Sequence, residues 1–281
     1  MKATILDGKA LSEKRKAQVL TEAKKLPRKP GLAVIIVGDN PASRVYVSSK
    51  RKDCEDCGFH SVEHALPEET TQAELIALIE SLNKDETIDG VLVQLPLPDA
   101  IDEEAVLLAI APEKDVDGFH PMSMGALMIG KDGFLPCTPA GIMEILAEYN
   151  IPIKGKECVV VGRSNIVGKP MAMLLLREHG TVTICHSRTK DLKEVCRRAD
   201  ILVAAVGREA LVTADMIKPG AVVIDVAMNR NAQGKLCGDV VFDEAAEVAS
   251  FITPVPGGVG PMTRAVLMEN TLIAAKKNQN I

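Results

Sequence analysis

The chain has 281 residues, 47% hydrophobic and 25% charged, with a net charge of −5. That length allows one large or two ordinary domains; the acidic balance, 2% aromatics and absence of Trp argue against a surface that tracks nucleic-acid phosphates or stacks bases. No run reaches the roughly 18 apolar residues that span a bilayer, MKATILDGKALSEKRK lacks a signal-peptide core, and seven scattered Cys suggest reduced thiols in a cytoplasm rather than a disulfide frame.

Gly8 to Leu26 has helical periodicity through Leu11, Val19, Ala23 and Leu26, and Pro27 and Pro30 stop it. Gly31 to Val37, GLAVIIV, reads as a buried strand ended by Gly38. Asp39-Asn40-Pro41 turns the chain, Ser43 to Cys57 reads as helix, and Gly58 closes it. Phe59 to Leu66 alternates like a strand. Thr71 and Glu74 have capping-box spacing ahead of Leu75, Ile76, Ile79 and Leu82. Gly90 to Leu95 is another buried strand, cut short by Pro96 and Pro98. A short helix over Ala105–Ile110 and a polar loop over Ala111–Gly118 complete one α/β unit. His120 to Gly133 reads as a Met- and Gly-rich connection, and Thr138-Pro139 opens a helix running to Tyr149.

The second half is organised around KECVVVGRSNIVGKPMAMLLL, Lys156 to Leu176. Cys158–Val161 is a continuous β-branched run suited to a strand buried on both faces. Gly162 ends it, a loop follows to Lys169, and Pro170 sits where a helix would start. Met171 to His179 reads as that helix, stopped by Gly180. Strand, glycine loop and helix N-terminus together make an anion site fit for a pyrophosphate. The spacing Gly162-x-Ser164-x-x-x-Gly168 is not the standard dinucleotide fingerprint. The next strand, Thr181–Cys185, ends in His186-Ser187-Arg188, where an NAD enzyme usually carries an acid for the ribose hydroxyl. A hydroxyl and a cation there, with Arg163 nearby, favour a 2′-phosphate and hence NADP. Further strands are expected at Ile201–Val206, Ala221–Val226 and Phe251–Thr253, giving a doubly wound sheet. Pro254–Gly260, PVPGGVG, is a rigid loop, and Pro261–Lys277 a terminal helix.

Tyr46 and Lys50 are four apart on a helix that leaves the carboxyl end of its strand, so they share a face where open α/β sheets place ligands. Taken alone, the pair reads as a packed Tyr beside a snorkelling Lys. Tyr-x-x-x-Lys is also the catalytic pair of short-chain dehydrogenases, but there it follows the nucleotide loop; here it precedes Gly162. Gln94 is a polar side chain at the tip of an apolar strand and needs a partner. Asp115 and Asp117 fit turn chemistry, yet Lys50, Gln94 and Asp117 at three strand tips suggest a site. Cys54, Cys57, His60 and His64 imitate zinc ligands, but the two pairs lie too close together for a finger.

Five blocks converge on one family: Tyr46-Val47-Ser48-Ser49-Lys50; Gln94-Leu95-Pro96-Leu97-Pro98; Lys114-Asp115-Val116-Asp117-Gly118; Gly162 to Pro170; and Pro254 to Thr263. Over essentially its full length the chain resembles bifunctional methylenetetrahydrofolate dehydrogenase/methenyltetrahydrofolate cyclohydrolase. The resemblance implies an α/β protein of two domains, a folate-binding catalytic domain over 1–119 and a Rossmann-type doubly wound NADP-binding domain over 120–281. It implies a cleft between them, a helix over about 261–277 that could pack back on the first domain, and a homodimer. The implied function is oxidation of methylenetetrahydrofolate with NADP and hydrolysis to the 10-formyl compound, in one-carbon metabolism and purine biosynthesis. Lys50, Gln94 and Asp117 would be catalytic, and they, with Tyr46, Pro256, Gly257 and Gly258, would bind substrate. Gly162, Arg163, Ser164, Val167, Gly168, Ser187, Arg188 and Met228 would bind the cofactor, and no metal is expected. One departure shows: the family usually has Gly where this chain has Ala227. A monofunctional dehydrogenase and a catalytically silent nucleotide-binding protein are the competing readings.

Overall fold

The computed structural model describes residues 2–281. Its elements run β1 (Thr4–Ile5), α1 (Gly8–Ala23), β2 (Gly31–Val37), α2 (Pro41–Asp56), β3 (His60–Leu66), α3 (Gln72–Lys84), β4 (Gly90–Val93), α4 (Glu103–Ala109), α5 (Pro121–Met128) and α6 (Cys137–Glu148). They continue with β5 (Glu157–Val161), α7 (Gly168–Arg177), β6 (Thr181–Cys185), α8 (Leu192–Cys196), β7 (Ile201–Ala204), β8 (Val222–Asp225), β9 (Asn229–Arg230), β10 (Leu236–Cys237), α9 (Phe242–Val248), β11 (Phe251–Ile252) and α10 (Val259–Asn278). Two compact units result: Glu13–Cys137 with Arg264–Ile281, and the chain up to Ser12 with Thr138–Thr263.

In the first unit β2 is the middle of a parallel three-stranded sheet ordered β3-β2-β4. All seven of its residues are buried, which is why its sequence shows no alternation. Edge strand β3 pairs only with β2, and its HSVEHAL keeps polar side chains partly in solvent. Ala33, Ile35 and Val37 pack against Leu75, Ile79 and Leu82 of α3 and Val106 of α4. The capping box of α3 is complete: Thr71 Oγ1 accepts from the Glu74 N–H, and Glu74 Oε2 accepts from the Thr71 N–H. The terminal helix anchors the loop after α4, because buried Asn270 donates to the carbonyls of Val116 and Leu135 at 2.8 and 3.1 Å.

In the second unit six parallel strands run in the order β1-β11-β8-β7-β5-β6. From β5 the chain first steps outward to β6, then reverses to β7, so the winding switches between β5 and β7. That is a doubly wound sheet with one strand beyond the switch point. Val159, Val161, Leu202, Ala204 and Val223 share one face with Cys196 of α8 and Ala245 of α9.

Both expected domain limits are corrected. The N-terminal residues join the second unit, because β1 pairs with β11 and the Lys9 N–H donates to the Gly257 carbonyl at 3.0 Å. Residues 120–137 join the first, because the Asp115 carboxylate accepts from the N–H groups of Phe119 and His120 and from the Ser123 hydroxyl. Residues 121–128, expected as connection, are helix α5, with His120 Nδ1 accepting from the Met122 N–H and Pro121 at the first position. Pro170 is the third residue of α7 rather than its first, since the helix begins at Gly168.

Candidate functional site

The stretch Lys114–Gly118 is built as a bracket. Lys114 is buried and donates to the carbonyls of Leu82 and Asp85, capping the C-terminus of α3. Asp115 ties the start of α5, and burial pushes its carboxyl up to about 6. Val116 seats on Gly90: a Cβ at that glycine would lie 2.7 Å from both Val116 methyls. Asp117 is thereby held from both sides.

Tyr46, Lys50 and Asp53 follow one stripe of α2, at spacings of four and three. Lys50 is only 8% exposed, and its Nζ donates to Gln94 Oε1 at 3.0 Å. The Gln94 amide nitrogen in turn donates to the Leu95 carbonyl at 2.7 Å, which aims the oxygen at Lys50. The neighbouring Leu95–Pro96 peptide is cis. Burial draws the Lys50 pKa below the usual lysine value, and Asp117 is the chief group opposing it. Burial likewise pushes Asp117 up, against the pull of Lys50 and of the Cys137 thiol. Each group is therefore poised between a neutral form favoured by burial and a charged form favoured by its neighbour. Tyr46 is half-buried and its phenol is also raised by burial.

In the second unit, every strand of the six-stranded sheet delivers its loop to the same end. Gly162 leaves β5 with φ +131°, and a Cβ there would lie 2.2 Å from the Ala205 carbonyl oxygen. A Cβ on Gly168 would lie 2.3 Å from the Gly162 carbonyl oxygen. The two glycines thus let the loop fold tightly on itself at the switch point, a cradle that any side chain would fill. Ser164 Oγ accepts from the N–H groups of Val167 and Gly168 at 3.2 and 3.3 Å, fixing the entrance to α7. Arg163 at the end of β5, and Ser187 and Arg188 at the end of neighbouring β6, are exposed. Met228, beyond β8, is 41% exposed. Ala227 does not have the positive φ that would demand glycine. The donor set fits a dinucleotide phosphate chain with an added 2′-phosphate.

Two acids absent from the expected set hold these loops. Asp239 accepts from the N–H groups of Val206, Gly207 and Arg208 at 2.7, 3.1 and 2.7 Å, and from the Asn229 amide at 3.0 Å. Asp225 accepts from the N–H groups of Asp239 and Val240. A lone Asp closing the apolar run VVID was the available signal for Asp225. The Pro256–Gly258 turn also belongs to this unit: Gly257 has φ +108°, and the Gly258 N–H donates to the Pro254 carbonyl at 2.9 Å. Lys50, Gln94, Asp117 and Tyr46 all lie in the first unit, and all the expected cofactor residues in the second. A cavity of about 230 Å³ near Lys156, Asp200 and Lys218 opens at the amino end of the second sheet, away from the cofactor loops. Among the described residues no cluster of three or more His, Cys, Asp or Glu is placed to hold a metal, and no helix is long and apolar enough to cross a membrane.

Residues 6–117 match the tetrahydrofolate dehydrogenase/cyclohydrolase catalytic domain, and residues 136–279 its NAD(P)-binding domain. The chain is 62% identical over 279 residues to the bifunctional protein FolD of Acetivibrio thermocellus, covering 98% of each. The crystal structure of the bifunctional FolD dehydrogenase/cyclohydrolase from Campylobacter jejuni superposes with a TM-score of 0.96 at 51% identity, over 98% of this chain and 99% of that one. The Trypanosoma brucei dehydrogenase-cyclohydrolase, solved with NADP cofactor and an inhibitor, gives 0.95 at 40% identity, over 99% and 98%.

Proposed function

The chain belongs to the tetrahydrofolate dehydrogenase/cyclohydrolase family, and from that premise we propose how its residues divide the two reactions. The enzyme oxidises 5,10-methylenetetrahydrofolate to the 5,10-methenyl compound with NADP, which accepts the hydride, and hydrolyses that product to 10-formyltetrahydrofolate. For the first reaction the protein supplies position. The cation formed is stabilised by the two folate nitrogens, so no general acid is needed. Gly162, Ser164, Val167 and Gly168 take the pyrophosphate; Arg163, Ser187 and Arg188 take the 2′-phosphate; Met228 lines the cofactor. Tyr46 stacks on the folate, Asp117 accepts from the amino edge of the pterin, and Pro256–Gly258 offers backbone free of bulky side chains.

Hydrolysis needs proton traffic, and we assign it to Lys50. As water adds to the methenyl carbon, the neutral amine takes its proton. The C–N5 bond then breaks, N5 takes a proton, and the added hydroxyl gives up its own to become the formyl oxygen. One proton is released overall. Gln94 keeps the amine aimed, and the 3.0 Å hydrogen bond between these two side chains, with the buried Lys50 drawn towards its neutral form, carries the assignment. Lys50→Met should abolish hydrolysis of the methenyl compound; full activity in that variant would refute the assignment. A spectrophotometric assay with methylenetetrahydrofolate and each pyridine nucleotide in turn tests the first reaction.

We further propose a cytoplasmic homodimer. All seven thiols are free, as in a reducing compartment. Edge strand β6 and adjacent α7 expose Ile184 and Leu176, an apolar surface of the kind that subunits cover. Light scattering coupled to gel filtration tests the dimer; a monomeric mass at assay concentration would refute it.

A further inference from the structure

The stripe of α2 that carries Tyr46 and Lys50 does not end there. Asp53, one turn beyond Lys50, is 3% exposed, and each of its oxygens meets a cation: Oδ1 takes Lys16 Nζ and Oδ2 takes Arg264 Nε, both at 2.6 Å. Lys16 has a second acid, exposed Asp56, at 3.9 Å. Arg264 sits in the second turn of α10, where a cation opposes the helix dipole and adds nothing to helix stability. Its side chain is 26% exposed, and no hydrogen bond of its terminal nitrogens is made among the described residues. Its field reaches both Tyr46 and Lys50.

We propose that Asp53 and Arg264 are a positioning pair for the hydrolytic step: buried Asp53 holds the guanidinium beside the Tyr46–Lys50 stripe, and that fixed positive charge adds to the burial of Lys50 in favouring the free amine that accepts the proton of water. The charged and titratable groups around Lys50 set the balance. Asp117 from the bracket loop favours the ammonium and Arg264 from α10 opposes it; the thiols of Cys137 at the start of α6 and Cys54 of α2 are kept protonated by burial, and Gln94 from the tip of β4 is a neutral acceptor. Arginine suits the task because a guanidinium stays charged at every working pH. Asp53 fixes the guanidinium through the hydrogen bond that its Oδ2 accepts from Arg264 Nε, and the amide oxygen of an asparagine in that place would still accept it.

The inference rests on Lys50 being the base of hydrolysis. The test is the pH profile of methenyl hydrolysis in Arg264→Gln, Asp53→Asn and Arg264→Lys, with melting temperature and dehydrogenase activity measured alongside. Arg264→Gln removes the opposing charge, so the acidic limb of the profile should move up by roughly 0.5 to 1 pH unit. Asp53→Asn leaves the guanidinium unneutralised, so the limb should move down. Arg264→Lys, which keeps both charge and bridge, should stay within about 0.2 unit of the parent. Shifts of opposite sign cannot come from simple loss of packing, which would lower the melting temperature in both variants and leave the limb in place. An unmoved limb, shifts in the same direction, or an Arg264→Lys profile displaced like that of Arg264→Gln would overturn the pairing. Retained hydrolysis in Lys50→Met would instead overturn the base assignment on which it rests.

Discussion

Gly162→Ala isolates the dinucleotide loop from the rest of the enzyme. The new methyl would stand 2.2 Å from a backbone oxygen at the end of β7, so the loop must retreat by about 1 Å to reach van der Waals distance. At φ +131° a Cβ also adds backbone strain of about 1–3 kcal/mol. A domain with about 5–15 kcal/mol of stability can absorb that and remain folded. A loop displaced by about 1 Å loses one charge-assisted hydrogen bond to phosphate, worth about 1.5–3 kcal/mol. The KM for NADP should therefore rise roughly 10- to 150-fold. Hydrolysis of the methenyl compound uses no dinucleotide and should fall no more than about two-fold. The measurements are an NADP titration, both activities and a melting curve on one preparation. A folded variant that binds NADP like the parent would show that this cradle is not the phosphate site.

Replacing Arg163 and Arg188 together by Ala should weaken NADP by about 10- to 100-fold and leave NAD unaltered, at about 1.5–3 kcal/mol for a charge-assisted contact; an unchanged NADP-to-NAD preference would remove the 2′-phosphate assignment. Thr71→Ala breaks the α3 capping box, costs about 1 kcal/mol and should lower the melting temperature by about 2–4 °C with both activities intact; a wild-type melting curve counts against it. For Lys50 the sign runs opposite to a lysine that gains a partner. Its folded pKa lies below the unfolded value, so the unfolded chain holds more protons between the two, and stability rises with pH across that window. Lys50→Met lacks this term, so its melting temperature relative to the parent should be more favourable at pH 7 than near pH 10; the reverse order would contradict the burial of an ammonium.

Much of this was readable in advance for identifiable reasons. GLAVIIV and CVVV are continuous because strands in parallel sheets are covered on both faces, and the Thr71–Glu74 spacing is a local hydrogen-bonding device. The shared face of Tyr46 and Lys50 is helical arithmetic. The rest depends on distance along the chain. Asp53 and Arg264 are 211 residues apart, and neither carries a local sign of the other. β1 has two residues, too few to show a period, and Gly125 in the middle of α5 disguises a helix whose start is set by the His120 cap. The strand expected to run to Val206 stops at Ala204 because the N–H groups of Val206, Gly207 and Arg208 turn to Asp239 instead of a neighbouring strand.

Pairing of β1 with β11 has a consequence for biosynthesis. During translation Thr4 and Ile5 emerge long before their hydrogen-bonding neighbours at Phe251 and Ile252, which lie 247 residues further along the chain. Until then β1 is an orphan, and afterwards it is the lid on what would be a bare sheet edge open to intermolecular pairing. Bulky fusions placed directly before Lys2 are therefore expected to reduce soluble yield more than the same fusions placed after Ile281.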